Sequence, residues 1–281
     1  AARLPGTAHR GAARLKRSAP RSGTRLDVAL VARGLAETRE KAQALVMAGR
    51  VRVDERPAAK PGMSVRDAEH VEVLPGPAHV GRGALKLAGA LDAFRLHPRG
   101  RVAVDVGAST GGFTETLLER GAARVYAVDV GRAQLHQRLR SDPRVVVLER
   151  TNARTLSTLQ VPEQCALASV DVSFISVLKV LPALRRVLAP EADALVLVKP
   201  QFEVGRGQVG RGGIVRDAGL HVDALRRVAL GAQSLGYAIA GACPSPIEGA
   251  TGNREFFLHL RRDGATLEAQ AFDAMMARAL A

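Results

Sequence analysis

Two lysines and two carboxylates stand where a catalytic cluster could be built. They are Lys86 in Arg-Gly-Ala-Leu-Lys-Leu, Asp171 in Asp-Val-Ser-Phe-Ile, Lys199 in Leu-Val-Lys-Pro-Gln-Phe-Glu, and Glu255 in Gly-Asn-Arg-Glu-Phe-Phe. Asp171 and Lys199 follow strongly apolar stretches, where a stray charge is costly. Any one of the four alone reads as a surface ion pair. Together they predict a charged, half-buried cluster, built from groups that can orient a substrate and exchange a proton. A second constellation is Asp105-Val-Gly107-Ala108-Ser109-Thr110-Gly111-Gly112-Phe113. Its glycines let the backbone turn sharply and approach a ligand closely. The spacing G-x-x-x-G-G is neither the dinucleotide fingerprint nor a P-loop, which needs Gly-Lys-Ser/Thr. Asp129 lies 22 residues after Gly107. A carboxylate there can accept hydrogen bonds from both ribose hydroxyls of an adenosine. Loop and carboxylate together favour S-adenosyl-L-methionine over NAD, with Asp105, Gly107, Ala108, Ser109, Thr110, Gly111, Gly112, Phe113 and Asp129 as its expected contacts. Asn152, in Arg-Thr-Asn-Ala-Arg, is expected to bond the adenine side.

Such residues need a scaffold that brings them to one edge. Short apolar runs recur at Val102–Val106, Arg124–Val130, Val145–Leu148, Leu167–Phe174, Ala194–Val198, Tyr237–Ala242 and Phe256–Leu260, with helical patterns between most of them. That alternation predicts an α/β fold, a doubly wound Rossmann-like sheet with helices on both faces. Ligands bind such sheets at the carboxyl ends of the strands. Asp171 and Lys199 would lie there. The glycine-rich segment from Val204 to Asp217, with Arg206, Arg211 and Arg216, is expected to cover the cofactor or clamp RNA.

Ahead of this domain the chain changes character. Of a net charge of +14, residues 1–80 carry +7. Residues 1–24 mix Arg, Lys, Gly, Pro and Ala without an apolar period and read as a basic, disordered arm. Residues 25–74 read as a small α+β module. One helix begins at Leu26 and stops at Gly34. A second runs from Thr38, its expected N-cap, to Met47. Val51-Arg52-Val53 and Val71-Glu72-Val73 alternate as strands, with a turn at Asp54–Pro57. The module resembles the small S-four-type RNA-binding domain in RLDVAL, Gly34, TREKAQALV and GRVRVD. Arg25, Arg33, Arg39, Lys41, Arg50 and Arg52 would then track phosphates, joined by Arg82 of the next domain. Pro75-Gly76-Pro77 marks a linker over 75–81.

Composition narrows the alternatives. An apolar content of 47% excludes disorder throughout. The two cysteines, Cys165 and Cys243, exclude a disulfide scaffold and a multi-cysteine metal site, and fit a reducing cytoplasm. They read as small core fillers. None of the seven histidines is expected in a metal-type cluster; His9, His70 and His79 read as surface residues, and no metal is expected. No apolar run is long enough to span a membrane.

Longer stretches carry a more specific likeness. GRGALKL at 81–87, DVGASTGGFTE at 105–115, DPRVVVLERTNAR at 142–154, DVSFIS at 171–176, LVKPQFEVGRGQVGRGGIVRD at 197–217 and GNREFFLHLR at 252–261 closely resemble the TlyA family. That family comprises hemolysin-named ribosomal-RNA ribose 2′-O-methyltransferases, and its catalytic half is similar to FtsJ-type enzymes. The resemblance spans residues 25–262. It implies a methyltransferase domain over 82–263 followed by a C-terminal helix over 264–281. It also implies transfer from S-adenosyl-L-methionine to a ribose hydroxyl of ribosomal RNA or a ribosomal subunit, with cytidine as the implied nucleoside. The family's Lys-Asp-Lys-Glu tetrad falls on Lys86, Asp171, Lys199 and Glu255. A ribose 2′-hydroxyl is a poor nucleophile, so the work is alignment and removal of one proton. The resemblance supports Lys199 as base, with Lys86 adding positive charge and the carboxylates orienting the lysines; the residues alone do not rank Lys199 above Lys86. Two other functions compete. A non-enzymatic RNA-binding or ribosome-assembly factor would tolerate a broken glycine loop or tetrad, and both are intact. A membrane-active hemolysin needs an amphipathic inserting helix or a barrel-forming strand pattern, and neither is evident.

Overall fold

A computed structural model of the chain describes residues 23–47, 49–74, 79–265 and 267–280. Residues 1–22 of the expected arm and 75–78 of the expected linker, with His9, lie outside the described residues. The chain divides into two units, residues 1–78 and 79–281.

The smaller unit runs β1 (Thr24–Arg25), α1 (Leu26–Ala32), α2 (Arg39–Met47), β2 (Val51–Val53), β3 (Arg56–Pro57), β4 (Ser64–Val65) and β5 (Val71–Val73). Helical spacing turns Leu26 and Leu30 of α1 and Ala42 and Val46 of α2 inward, onto Val51, Val53, Val65 and Val71. Thr38 caps α2, its Oγ1 accepting from Lys41 N at 3.2 Å. Strands pair in the order β3-β2-β5, and β1 pairs with β4. The β2–β3 turn places Asp54 and Glu55 at positive φ, 45° and 66°. Asp54 Oδ1 braces it by accepting from His70 N at 2.9 Å.

The larger unit is a seven-stranded sheet, ordered β11-β12-β10-β9-β6-β7-β8. The strands are β6 (Val102–Val106), β7 (Arg124–Val128), β8 (Val145–Leu148), β9 (Cys165–Val170), β10 (Leu188–Val198), β11 (Ala238–Pro244) and β12 (Phe256–Arg261). β12 pairs antiparallel with both neighbours, while β8, β7, β6, β9 and β10 are mutually parallel. Alternation along β10 shows why helices cover both faces. Ala194, Val196 and Val198 point into one apolar layer with α6 (Leu181–Val187), α8 (Ala218–Ser234) and α9 (Ala269–Leu280). Leu195 and Leu197 point into another, with α3 (Gly83–Ala93), α4 (Gly112–Glu119) and α5 (Gln137–Arg140).

Several boundaries differ from expectation; the second strand ends at Val128, not Val130, and the sixth runs Ala238–Pro244. The fourth strand ends at Val170, not Phe174, and the bond from Asp171 N to Val106 O is the last it makes with β6. The fifth begins at Leu188, six residues early, with a register shift before Asp193. The last helix starts at Ala269, and Phe272, Met275, Met276 and Ala279 place it inside the large unit's core.

Candidate active site

The carboxyl ends of the parallel strands share one edge, and the sheet order decides who meets there. Asp171 follows β9 and Lys199 follows β10. β12 runs the opposite way, so its beginning reaches the same edge. Val198 pairs with Phe256, which puts Lys199 and Glu255 opposite each other across the two strands, just beyond the last paired residues. Lys86 comes from the second turn of α3, and its Nζ donates to Glu255 Oε2 at 2.5 Å. Lys199 Nζ lies 2.5 Å from Asp171 Oδ1 and donates to Ser173 Oγ at 2.9 Å. The tetrad therefore forms two lysine–carboxylate pairs on adjacent strand ends. Lys86 and Lys199 are only 8% and 9% exposed.

Next along the edge, β6 runs into the glycine loop. Gly107 has φ 87°, and a Cβ there would lie 2.2 Å from Asp171 O, so only glycine lets the loop lie against the end of β9. Gly111, with φ 102°, precedes α4, and a Cβ there would meet Leu139 at 2.2 Å. Ser109 and Thr110 form the exposed rim between them. Ser109 N donates to Asp129 Oδ2 at 2.8 Å and Gly131 N to Asp129 Oδ1 at 2.7 Å. The half-buried carboxylate of Asp129 is thereby fixed at the end of β7, each oxygen keeping a lone pair for a ligand. Exposed Val130 sits beside it. A fixed acceptor pair, an apolar neighbour and a tight glycine loop suit an adenosine with its ribose.

Several expected contacts are placed elsewhere. Asp105 points behind the loop, fully buried, accepting from Thr114 Oγ1 at 2.7 Å and Ser169 Oγ at 2.9 Å. Burial pushes its carboxyl up to about 7, against the two hydroxyl bonds and helped by nearby Asp171. Phe113 lies in the core beside Phe257, 6.1 Å between ring centroids. Gly112 serves packing, since a Cβ there would lie 2.8 Å from Ala84 N of α3. The Asn152 side chain caps a short turn, Oδ1 accepting from Arg154 N at 3.1 Å. Asp105, Gly112 and Phe113 thus support the loop from behind, and Asn152 caps the turn after β8. Ala108 is buried within the loop.

Other residues enter unannounced by the sequence. Ser173 bonds Lys199. Phe174, 89% exposed at φ 64°, tilts against Phe202 with centroids 5.2 Å apart. Glu203 ends the turn α7 (Pro200–Glu203) that follows Lys199, and it accepts from Ser176 Oγ at 2.7 Å and Val177 N at 2.8 Å. It ties the end of β10 to the segment carrying Asp171, and burial pushes its carboxyl upward. Fully buried Asn253 accepts from Val215 N at 2.9 Å and donates to Gly213 O at 2.9 Å, pinning the glycine-rich segment beside Glu255. The signal for these was only proximity in sequence to the tetrad.

One histidine expectation is corrected. His79 Nδ1 lies with Glu115 and Glu119 ligand atoms, all within 4.8 Å of one another. The Glu115 carboxylate is already shared by Val80 N and Arg138.

The arginines expected on RNA are largely engaged inside the small unit. Arg25 and Arg39 bond Asp27. Arg33 donates to the carbonyls of Glu69 and Arg66, and Arg50 to Leu74 O. Lys41 pairs with Glu37, and Arg52 lies 3.9 Å from Glu72. In the large unit Arg82 donates to Glu248 O at 3.2 Å.

Comparison with known proteins identifies both units. Residues 79–262 match the FtsJ-like methyltransferase family and residues 24–71 the S4 domain. The chain is 49% identical over 259 residues to the 16S/23S rRNA (cytidine-2′-O)-methyltransferase TlyA of Mycobacterium tuberculosis, covering 91% of this chain and 97% of that one. It is 48% identical over 251 residues to YqxC of Bacillus subtilis, named as an rRNA methyltransferase, covering 88% of each. A solved structure of a hemolysin-named protein from Streptococcus thermophilus superposes with a TM-score of 0.68 at 39% identity, covering 91% of this chain and 94% of that one. Despite that name, among the described residues no helix is long and apolar enough to cross a membrane.

Proposed function

The chain belongs to the TlyA family, carrying an S4 domain ahead of an FtsJ-like methyltransferase domain, and from that membership we propose that it methylates the ribose 2′-hydroxyl of a cytidine in ribosomal RNA. The observation that carries this reading is the pair of buried lysine–carboxylate contacts beside the glycine loop and Asp129. S-adenosyl-L-methionine, when bound, supplies a methyl group already activated by its sulfonium. Asp129 would hold the ribose of that cofactor, and the backbone from Gly107 to Thr110 would line its approach.

The remaining work belongs to the tetrad. With its own proton first released to solvent, Lys199 as the free amine would take the 2′-proton as the oxygen attacks, a role worth about 10²–10⁴ in rate. Asp171 and Ser173 fix the direction of its amine. Lys86, steered by Glu255, would hold the hydroxyl in line. Phe174 offers an exposed ring for the target base beside Lys199. The S4 domain, through Arg25, Arg33, Arg39, Lys41, Arg50 and Arg52, and Arg82 of the catalytic domain would contact the RNA backbone, with Arg25 and Arg39 best placed to do so. Such a substrate puts the enzyme in the cytoplasm.

The test is to incubate the chain with labelled S-adenosyl-L-methionine and purified bacterial ribosomal subunits, then map the label. We expect label on a ribose 2′-oxygen, lost in Lys199→Ala while cofactor binding persists. Full activity in Lys199→Ala would remove Lys199 as the base. Cofactor binding without label on subunits, ribosomes or free RNA would overturn the ribosomal acceptor.

A further inference from the structure

The small unit contains a buried anion with two cations fanned around it. Asp27 has no exposed surface. Arg25 grips it as a fork, Nε to Oδ1 at 3.0 Å and Nη2 to Oδ2 at 2.9 Å. Arg39 Nε donates to the same Oδ2 at 3.0 Å, and Gln43 Nε2 does so at 2.9 Å. Val28 N occupies Oδ1 at 3.0 Å. The Asp27 carboxyl is held far below its ordinary range, first by the Arg25 bonds.

This arrangement is unsaturated on its outer side. One carboxylate faces two guanidiniums, which leaves one positive charge in surplus. Both arginine side chains remain 52% exposed. Among the described residues no hydrogen bond engages Arg25 Nη1 or Arg39 Nη1 and Nη2. Gly62 packs against the Arg25 guanidinium, for a Cβ there would lie 3.0 Å from Arg25 Nη1. A guanidinium fork matches the oxygens of a phosphate, and two forks held at one spacing match it without further ordering. Arg33 and Arg50 differ, because their nitrogens are spent on the unit's own carbonyls.

We infer that Arg25, Asp27 and Arg39 form a single clamp for a phosphate of the RNA backbone, with Asp27 as its positioning residue. The inference rests on the RNA reading above and adds which cations act, and that they act as one.

The full chain is titrated onto purified bacterial large and small ribosomal subunits, separately, over a potassium chloride series. Arg39→Ala is expected to weaken binding about tenfold and to reduce the salt slope by about one contact. Asp27→Asn is the sharper variant. It removes a negative charge, so charge counting alone demands tighter binding; the clamp demands about tenfold weaker binding. The double variant Asp27→Asn/Arg39→Ala should bind no worse than Arg39→Ala, because the two changes break one unit. Equal or tighter binding by Asp27→Asn overturns the clamp. Should Asp27→Asn lose amide protection in α1 and α2, the charge-conserving pair Arg25→Lys/Arg39→Lys decides: weakened binding supports the clamp and undiminished binding overturns it. A wild-type chain that binds neither subunit overturns the RNA reading itself, an outcome separate from any effect of Asp27.

Discussion

The two units handle buried charge in opposite ways. In the S4 domain a buried carboxylate, Asp27, holds half-exposed guanidiniums outward. In the methyltransferase domain buried ammonium groups, Lys86 and Lys199, are held at a sheet edge by carboxylates. The first design leaves cations half-exposed and keeps their geometry. The second withdraws them from water, where a proton can be handled without competition from bulk solvent. A third buried group, Asp105, shows what happens when no cation is near. Two hydroxyls bond it, yet burial still pushes it up to about 7. Charged donors around Asp27, against neutral hydroxyls around Asp105, separate the two acids.

The largest break in this contrast is Lys199→Ala. Methyl transfer should fall by about 10²–10⁴, while subunit binding, which the proposed clamp assigns to the other unit's outward cations, should stay within twofold. Loss of binding in parallel with activity would mean that the two sites are not separate devices. Next in size is Glu255→Ala. It leaves Lys86 buried without its anion, and removing one partner of a buried pair costs about 3–5 kcal/mol. Denaturant unfolding of the large unit should show this loss, and Lys86→Met/Glu255→Leu should recover most of it. An equal loss in the double variant would place the cost in packing rather than charge.

Asp105 tests the same idea with a smaller, pH-dependent effect. Its folded value, about 7, lies above the ordinary 3.8. The stability it contributes is therefore complete below 3.8 and is lost as pH rises towards 7. Between pH 5 and 7 that loss amounts to about 2–3 kcal/mol. Asp105→Asn keeps a hydrogen-bonding partner for Thr114 and Ser169 and should flatten this slope. A variant as pH-dependent as the wild type would assign the slope to another group.

How much of this could be read from the chain depended on the range of the forces involved. The sheet was legible because apolar runs such as Val102–Val106 and Ala194–Val198 state their burial locally. Which residue met which was not. Nothing near Arg33 says that it closes onto carbonyls 33 and 36 residues away. Nothing in RLD says that Arg39 returns to Asp27 from the next helix. Asp105 and Phe113 flank the glycine loop in sequence but point to its protected side, because strand alternation and the first turn of α4 direct them into the core. The pairing of Lys86 with Glu255, and of Lys199 with Asp171 and Ser173, follows from the strand order β12-β10-β9, which no local pattern encodes.

The finest test sets the two aspartates against each other. Asp27 is held below its ordinary value, so its stabilisation is present above that value and lost as pH falls through the folded one. Asp105 has the opposite sign. Acidification from pH 7 to 3 should therefore strengthen the Asp105 contribution in the large unit and, at the acid end, weaken that of Asp27 in the small one. Amide exchange, corrected for its intrinsic pH dependence, reads the units separately through α1 (Leu26–Ala32) and α4 (Gly112–Glu119). Asp27→Asn should remove the acid-end loss in α1 and leave α4 untouched. If α1 kept its acid sensitivity in that variant, its stability would rest on another carboxylate, and the buried anion would no longer distinguish the two units.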